Sequence, residues 1–127
     1  MKPAIANYMA NVKSQVTEVS VDDLKQAQNN QALIFDVREP QEHAQGVIAG
    51  ALAIPRGVLE FNVFNLPMLK ELPEEDAFNQ PIYVYCASGG RSACSALSLQ
   101  QIGFKKVYSV AGGIKQWTES GGQLIKP

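Results

Sequence analysis

Short apolar runs alternate with amphipathic segments along the whole chain. Two continuous apolar runs, at residues 32–37 and 82–86, have the composition of strands that are buried on both faces of a parallel sheet. A third such run covers residues 107–110, and a shorter and weaker one covers residues 51–54. A short extended piece at residues 15–19 completes the set of predicted strands.

Helical spacing first occurs near the N-terminus. Ile5, Tyr8, Met9 and Val12 lie at i, i+3, i+4 and i+7, which predicts an amphipathic helix. The other predicted helices are bounded by capping residues, glycine or proline: residues 21–28 behind a capping box of Ser20 and Asp23, a short helix from Pro40 to Gly46, residues 92–102 closed by Gly103, and residues 114–120.

The central third of the chain is less regular. Residues 58–72 have helical character that is interrupted by Pro67, and four apolar side chains there are expected to pack on the core: Phe61, Phe64, Leu66 and Leu69. Residues 73–81 are acidic and rich in turn-forming residues, so we expect a flexible surface segment.

Alternating strands and helices predict an α/β architecture with a mostly parallel sheet. A chain of 127 residues has room for one domain of ordinary size. We expect a helical extension at residues 1–14, the main domain at residues 15–122 and a C-terminal tail at residues 123–127.

Composition excludes several classes of protein. The net charge of −1 gives no electrostatic basis for binding nucleic acid or an anionic membrane surface, and no apolar run is long enough to span a bilayer. The N-terminus has no continuous apolar core of the kind found in a signal peptide. Two cysteines, Cys86 and Cys94, are too few for a disulfide framework, so we expect free thiols and a cytoplasmic location.

The most informative segment is a cysteine at the end of a predicted strand, followed by a glycine-rich loop and a helix. Gly89 and Gly90 allow the backbone amides to turn into one concavity, and the helix N-terminus and Arg91 add positive charge. Such surroundings favour the nucleophilic thiolate form of Cys86. The alternative is a buried cysteine at a strand end followed by an ordinary turn, which this combination of residues makes the weaker interpretation.

Four segments, in this order along the chain, resemble those of rhodanese-type sulfurtransferases. They are DVRE at 36–39, GVIAGA at 46–51 with IPRG at 54–57, the loop CASGGRS at 86–92, and the glycine pair at 112–113 with Trp117. The resemblance covers nearly the whole chain. It implies a rhodanese-like fold, with a five-stranded and mainly parallel sheet flanked by helices on both faces.

The resemblance also implies a reaction through a persulfide on Cys86, formed from a donor such as thiosulfate and discharged to cyanide, a thiol or a protein. It requires no cofactor and no metal. The residues expected to bind the donor are those of the loop together with a cation that the resemblance places on the pocket rim: Ala87, Ser88, Gly89, Gly90, Arg91 and Arg56.

Two other functions remain open at this point. Some family members that use thiosulfate carry a cation at the second loop position, where this chain has Ala87. That difference suggests a persulfide carrier or regulatory module that turns over small donors poorly. A phosphatase or arsenate reductase is the other alternative, but related cysteine phosphatases have five residues between cysteine and arginine, and here there are four.

The remaining polar candidates have structural interpretations as well. For Arg91 we favour anion binding over an ion pair, and for Arg38, between Asp36 and Glu39, an ion pair. His43, the only histidine, is expected on a helix surface, and Cys94 is expected to pack in the core. Ser88 and Ser92 are expected either to hydrogen-bond the persulfide or to cap the helix.

Overall fold

The computed structural model describes residues 1–127 and contains one parallel sheet covered by helices on both faces. The strands are β1 (Thr17–Val19), β2 (Leu33–Asp36), β3 (Leu52–Ala53), β4 (Ile82–Tyr85) and β5 (Val107–Val110). Their order is β1-β5-β4-β2-β3, and every neighbouring pair is parallel. The predicted α/β class and the five-stranded sheet are confirmed.

The helices are, in chain order, α1 (Pro3–Ser14), α2 (Val21–Asn29), α3 (Pro40–His43), α4 (Leu59–Asn62), α5 (Pro67–Lys70), α6 (Glu74–Phe78), α7 (Gly90–Ile102) and α8 (Gly113–Glu119). Two 3₁₀ turns, Arg56–Val58 and Val63–Asn65, flank α4. The capping box predicted at α2 is present: the Asp23 amide donates to Ser20 Oγ at 3.1 Å, and the Ser20 amide donates to Asp23 Oδ2 at 3.1 Å.

Alternation along the strands divides the core into two apolar clusters, one on each face of the sheet. Phe35 and Val84 point to the face covered by α4 to α7, where Leu99 of α7 is fully buried. Ile34 and Tyr85 point to the opposite face, which is covered by α2 and α8.

The N-terminal helix α1 packs along α7. Val12 is buried in this contact and Met9 is half-buried, but Ile5 and Tyr8 are more than half exposed. The predicted helix is therefore confirmed, whereas only the C-terminal half of its apolar stripe is covered by the domain.

Two predictions for the central third of the chain were wrong. Phe61 is 83% exposed, because α4 is a single turn that directs Leu59 into the core and Phe61 away from it. Residues 73–81 contain helix α6 rather than a flexible segment, with Ala77 fully buried and Phe78 packed edge-on against Phe104. The aromatic contact anchors a segment whose acidic composition had suggested mobility.

Candidate active site

The carboxyl ends of β2, β4 and β5 meet at one edge of the sheet, and the loops that follow them form the candidate site. Cys86 is the first residue after β4 and is only 1% exposed. Its side chain belongs to the apolar cluster under α7, so the sulfur lies at the boundary between the core and the loop.

Backbone amides converge on the Cys86 sulfur. The Gly89 amide donates to Sγ at 3.1 Å and the Ser92 amide donates to the same atom at 3.4 Å. The thiol also lies 3.5 Å from Ser92 Oγ, which in turn is 2.9 Å from Ser109 Oγ on β5. Two N–H donors thus point at one sulfur atom, in a geometry that can also hold a sulfur carrying negative charge.

Gly89 makes this convergence possible. Its φ of +110° lies in the region that side chains rarely adopt, and a Cβ there would be 3.3 Å from the Gly112 nitrogen. The turn brings the Gly89 amide towards the sulfur and starts α7 at the next residue, Gly90. Helix α7 therefore directs its N-terminal end, which carries partial positive charge, towards the loop.

The C-terminal glycine pair holds the opposite side of the loop. The Ile114 amide donates to the Cys86 carbonyl at 2.9 Å, and the Lys115 amide donates to the Ala87 carbonyl at 3.1 Å. A Cβ on Gly113, whose φ is +57°, would overlap the Cys86 carbonyl oxygen. Close backbone approach is thus the physical reason for glycine at this position.

A buried ion pair lies at the carboxyl end of β2, at the same sheet edge. Asp36 accepts hydrogen bonds from Arg38 Nη2 at 2.9 Å and from the Tyr85 hydroxyl at 2.6 Å. Burial opposes ionisation of Asp36, but the bonds from Arg38 and Tyr85 outweigh it and hold the pKa of this carboxyl below its usual value. The predicted ion pair of Arg38 is confirmed.

Arg91 forms a two-point ion pair with a carboxylate that the sequence did not single out. Its Nη1 lies 2.6 Å from Glu42 Oε1 and its Nη2 lies 2.9 Å from Glu42 Oε2. The hydrogen bond from Arg91 lowers the pKa of Glu42 to about 2. The structure thus contains the ion pair, which is the less favoured of the two roles predicted for Arg91, and contact of this side chain with a donor stays a prediction.

The second predicted cation is also paired. Arg56 lies at the start of the 3₁₀ turn before α4, where its amide donates to the Val37 carbonyl at 3.1 Å. Its Nη1 lies 2.9 Å from Glu60 Oε2, in a pair that is about one-third exposed. Contact of Arg56 with substrate likewise stays a prediction.

Two residues lie in places that the sequence did not predict. His43 is not on the helix surface: its side chain is 12% exposed, and Nε2 lies 3.4 Å from Asp36 Oδ1 without a hydrogen-bond partner. Cys94 is half-buried beneath α1 rather than in the core, with its sulfur 3.9 Å from the sulfur of Met9.

Sequence reasoning missed three contributors to the site. Glu42 pairs with Arg91, Tyr85 bonds Asp36, and Ser109 bonds the serine beside the thiol. Only Glu42 had a local signal, because it lies three residues after Glu39, and its carboxylate accepts the Glu39 amide at 2.9 Å as in a capping box. The Tyr85 contact joins β4 to β2 and the Ser109 contact joins β5 to α7, so neither has a local signature.

No three His, Cys, Asp or Glu side chains come close enough to hold a metal ion together. None of the helices has the length and apolar character needed to cross a membrane.

Comparison with known proteins agrees with the fold. The family profile described as "Rhodanese-like domain" matches residues 20–120, and the chain therefore belongs to the rhodanese-like domain family. A sulfurtransferase of Allochromatium vinosum is 31% identical over 114 residues, which cover 88% of this chain and 97% of that protein. These relationships support sulfur transfer, in general terms, as the activity of the chain.

Two further relatives differ in what they suggest. The putative sulfur carrier protein YrkF of Bacillus subtilis is 36% identical over 107 residues, covering 83% of this chain and 52% of that protein. A solved structure from Rhodopseudomonas palustris, of a protein of unknown function named a possible tyrosine phosphatase, superposes with a TM-score of 0.80 at 27% identity. That match covers 98% of this chain and 96% of the other, so it includes nearly all of α1.

Proposed function

We propose that the protein is a sulfurtransferase that carries a sulfane sulfur as a persulfide on Cys86. The observation that carries the proposal is the convergence of the Gly89 and Ser92 amides on Cys86 Sγ, at 3.1 and 3.4 Å. The remaining loop residues, Ala87, Ser88, Gly90 and Arg91, complete the cradle around the transferred sulfur. Since Cys86 is 1% exposed, the persulfide would be held away from bulk water.

The proposed cycle has two displacements at sulfur. In the first, the Cys86 thiolate attacks the outer sulfur of thiosulfate, a new S–S bond forms, and sulfite leaves with the electron pair of the broken S–S bond. In the second, cyanide or a thiolate attacks the outer sulfur of the persulfide, and Cys86 leaves as thiolate. The cysteine thiolate is present at both ends of the cycle, so the amides that stabilise it serve both steps.

The loop length supports sulfur transfer over phosphate ester hydrolysis. Four residues, Ala87 to Gly90, separate Cys86 from Arg91. Related cysteine phosphatases have five residues between the cysteine and the arginine. The shorter loop suits a single sulfur atom on the cysteine rather than a tetrahedral phosphate. Hydrolysis of an aryl phosphate that depends on Cys86 would reverse this choice.

A persulfide carrier that receives sulfur from a protein is the second candidate. Two features favour it. Both predicted cations are already paired, Arg91 with Glu42 and Arg56 with Glu60. In addition, the second loop position holds the apolar Ala87 instead of a cation. These pairs reduce the positive charge offered to a small dianion such as thiosulfate. A relative named a putative sulfur carrier protein also supports this candidate.

The two candidates are separated by measuring the first half-reaction without an acceptor. We expect thiosulfate to release one equivalent of sulfite per chain from the wild type and from Cys94→Ser, and none from Cys86→Ser. A persulfide carrier would release little sulfite with thiosulfate, but Cys86 would be loaded by a cysteine desulfurase. Sulfite release by Cys86→Ser equal to that of the wild type would overturn the assignment of Cys86.

A further inference from the structure

A groove of about 430 Å³ runs between α1 and the loop that follows Cys86. The N-terminal segment lines one side with Met1, Ala6, Met9, Ala10 and Lys13, and the loop lines the other with Ser88 and Gly90. The groove therefore shares two residues with the cradle of the reactive cysteine. The proposed function leaves this groove without a role.

The groove results from the composition of one face of α1. Positions 6, 9, 10 and 13 follow the i, i+3, i+4, i+7 pattern, so these side chains lie along one stripe. The two alanines leave space, whereas the Met9 methyl group would lie 3.9 Å from a Cβ built on Gly90. Met9 thus holds the helix next to the loop while Ala6 and Ala10 keep the cleft open.

Lys13 carries the only charged side chain in the lining of this groove, Met1 adds its amino group, and no carboxylate lines it. Its one ionic contact is Glu18, with the Nζ and Oε2 atoms 4.0 Å apart and the Lys13 side chain 41% exposed. An exposed pair at that distance contributes little and leaves the ammonium group available. Arg91 and Arg56, in contrast, are engaged by carboxylates at 2.6 and 2.9 Å.

We infer that this groove admits the anionic sulfur donor to Cys86 and that Lys13 binds its negative charge, an inference that rests on the proposed function. The expected donor is a small anion that carries sulfane sulfur, and thiosulfate represents this class in the experiments below. Lys13 would attract the donor equally before and during transfer, because the negative charge persists on the departing sulfite. Such uniform binding lowers the KM for the donor and leaves kcat unchanged.

The kinetic test compares Lys13→Gln with Lys70→Gln, which removes the same charge from an exposed position on α5. With thiosulfate as donor and cyanide as acceptor, we expect Lys13→Gln to raise the KM for thiosulfate about fivefold at unchanged kcat. Lys13→Arg should restore most of the affinity, and Lys70→Gln should match the wild type. Equal KM values for Lys13→Gln and the wild type would overturn the inference.

A binding measurement separates this inference from the proposed chemistry. In a Cys86→Ser background, which forms no persulfide, thiosulfate is titrated while the backbone amide resonances of α1 and the loop are followed. We expect shifts at Met9, Lys13, Ser88 and Gly90 that are lost with Lys13→Gln and kept with Lys70→Gln. If the shifts occur but the wild type forms no persulfide, the proposed function fails and the binding site stands. If no shifts occur while the wild type forms the persulfide, the groove is not the donor site.

Discussion

The carboxyl ends of β2 and β4 lie at the same edge of one sheet, yet their buried polar groups are arranged differently. At one end the polar groups pair with each other, and at the other end they point at a reactive atom. At the end of β2, Asp36 and Arg38 satisfy one another, and Tyr85 at the end of β4 supplies a further hydrogen bond. After β4, two amides and a hydroxyl surround one sulfur atom, and no cationic side chain contacts it. In the first arrangement, here called the closed cluster, opposite charges satisfy one another, whereas in the second the N–H donors point at a single sulfur atom.

This difference separates a structural role from a chemical one. The Asp36–Arg38 pair also bonds to the segment that follows it, since Arg38 Nη2 donates to the Gly46 carbonyl at 2.9 Å. That segment carries Glu42, which in turn fixes Arg91 at the end of the cysteine loop. The closed cluster thus positions the groups around Cys86 without contacting the sulfur.

The largest stability effect should come from breaking the closed cluster. Asp36→Asn leaves the Arg38 guanidinium buried without its carboxylate, which typically costs about 3–5 kcal/mol of unfolding free energy. Urea denaturation measures this loss. The matched control is Glu60→Gln at the exposed Arg56 pair, which should cost less than about 1 kcal/mol. Equal losses of unfolding free energy in the two variants would contradict the claim that the buried Asp36–Arg38 pair stabilises the fold more than the exposed Arg56–Glu60 pair.

The second prediction concerns the contact between the C-terminal glycines and the cysteine loop. Gly113→Ala places a Cβ against the Cys86 carbonyl, so we expect a loss of about 2–3 kcal/mol and slower sulfur loading of Cys86. Gly121→Ala is the control, because Gly121 also has a positive φ, +88°, but open space around its Cα. It should cost roughly 1 kcal/mol through backbone strain alone and leave loading unchanged.

The smallest effect should appear in acid. The pKa of Glu42 lies at about 2 in the folded protein, below its ordinary value of 4.5, so its ion pair stabilises the fold above pH 4.5. That contribution is lost as the pH falls from 4.5 towards 2. Glu42→Gln should therefore lower the Tm at neutral pH. On acidification, the Tm of this variant should decrease less than the Tm of the wild type. The pair is partly exposed, so we expect less than about 1 kcal/mol.

A Tm of Glu42→Gln that falls as steeply with pH as that of the wild type would contradict the assigned role of Glu42.

The sequence predicted the parts of the fold that have strong local signals. The strand at 107–110 coincides with β5, and the capping box at Ser20 coincides with the start of α2. Phe61 was misplaced because a single helical turn followed by a 3₁₀ turn has no sustained period of 3.6 residues. The helix α6 was missed because it is only five residues long and is held by buried Ala77 and by the packing of Phe78 on the distant Phe104.

The candidate site also has a part with a local sequence signal and a part without one. The loop could be predicted from the sequence because Cys86, its glycines and Arg91 lie within six consecutive residues. The partners of that loop could not, because Glu42 and Ser109 come from elements distant in the chain. For this reason the sequence did not identify Glu42 as the partner of Arg91. The pairing of two side chains on different elements depends on tertiary packing rather than on local spacing.

The most direct test of the persulfide on Cys86 is the intact mass of the reduced protein before and after thiosulfate, followed by cyanide. We predict a gain of one sulfur atom in the wild type and in Cys94→Ser, no gain in Cys86→Ser, and complete reversal by cyanide. The same gain in Cys86→Ser, or no gain in the wild type with thiosulfate, mercaptopyruvate or a cysteine desulfurase, would contradict the central claim.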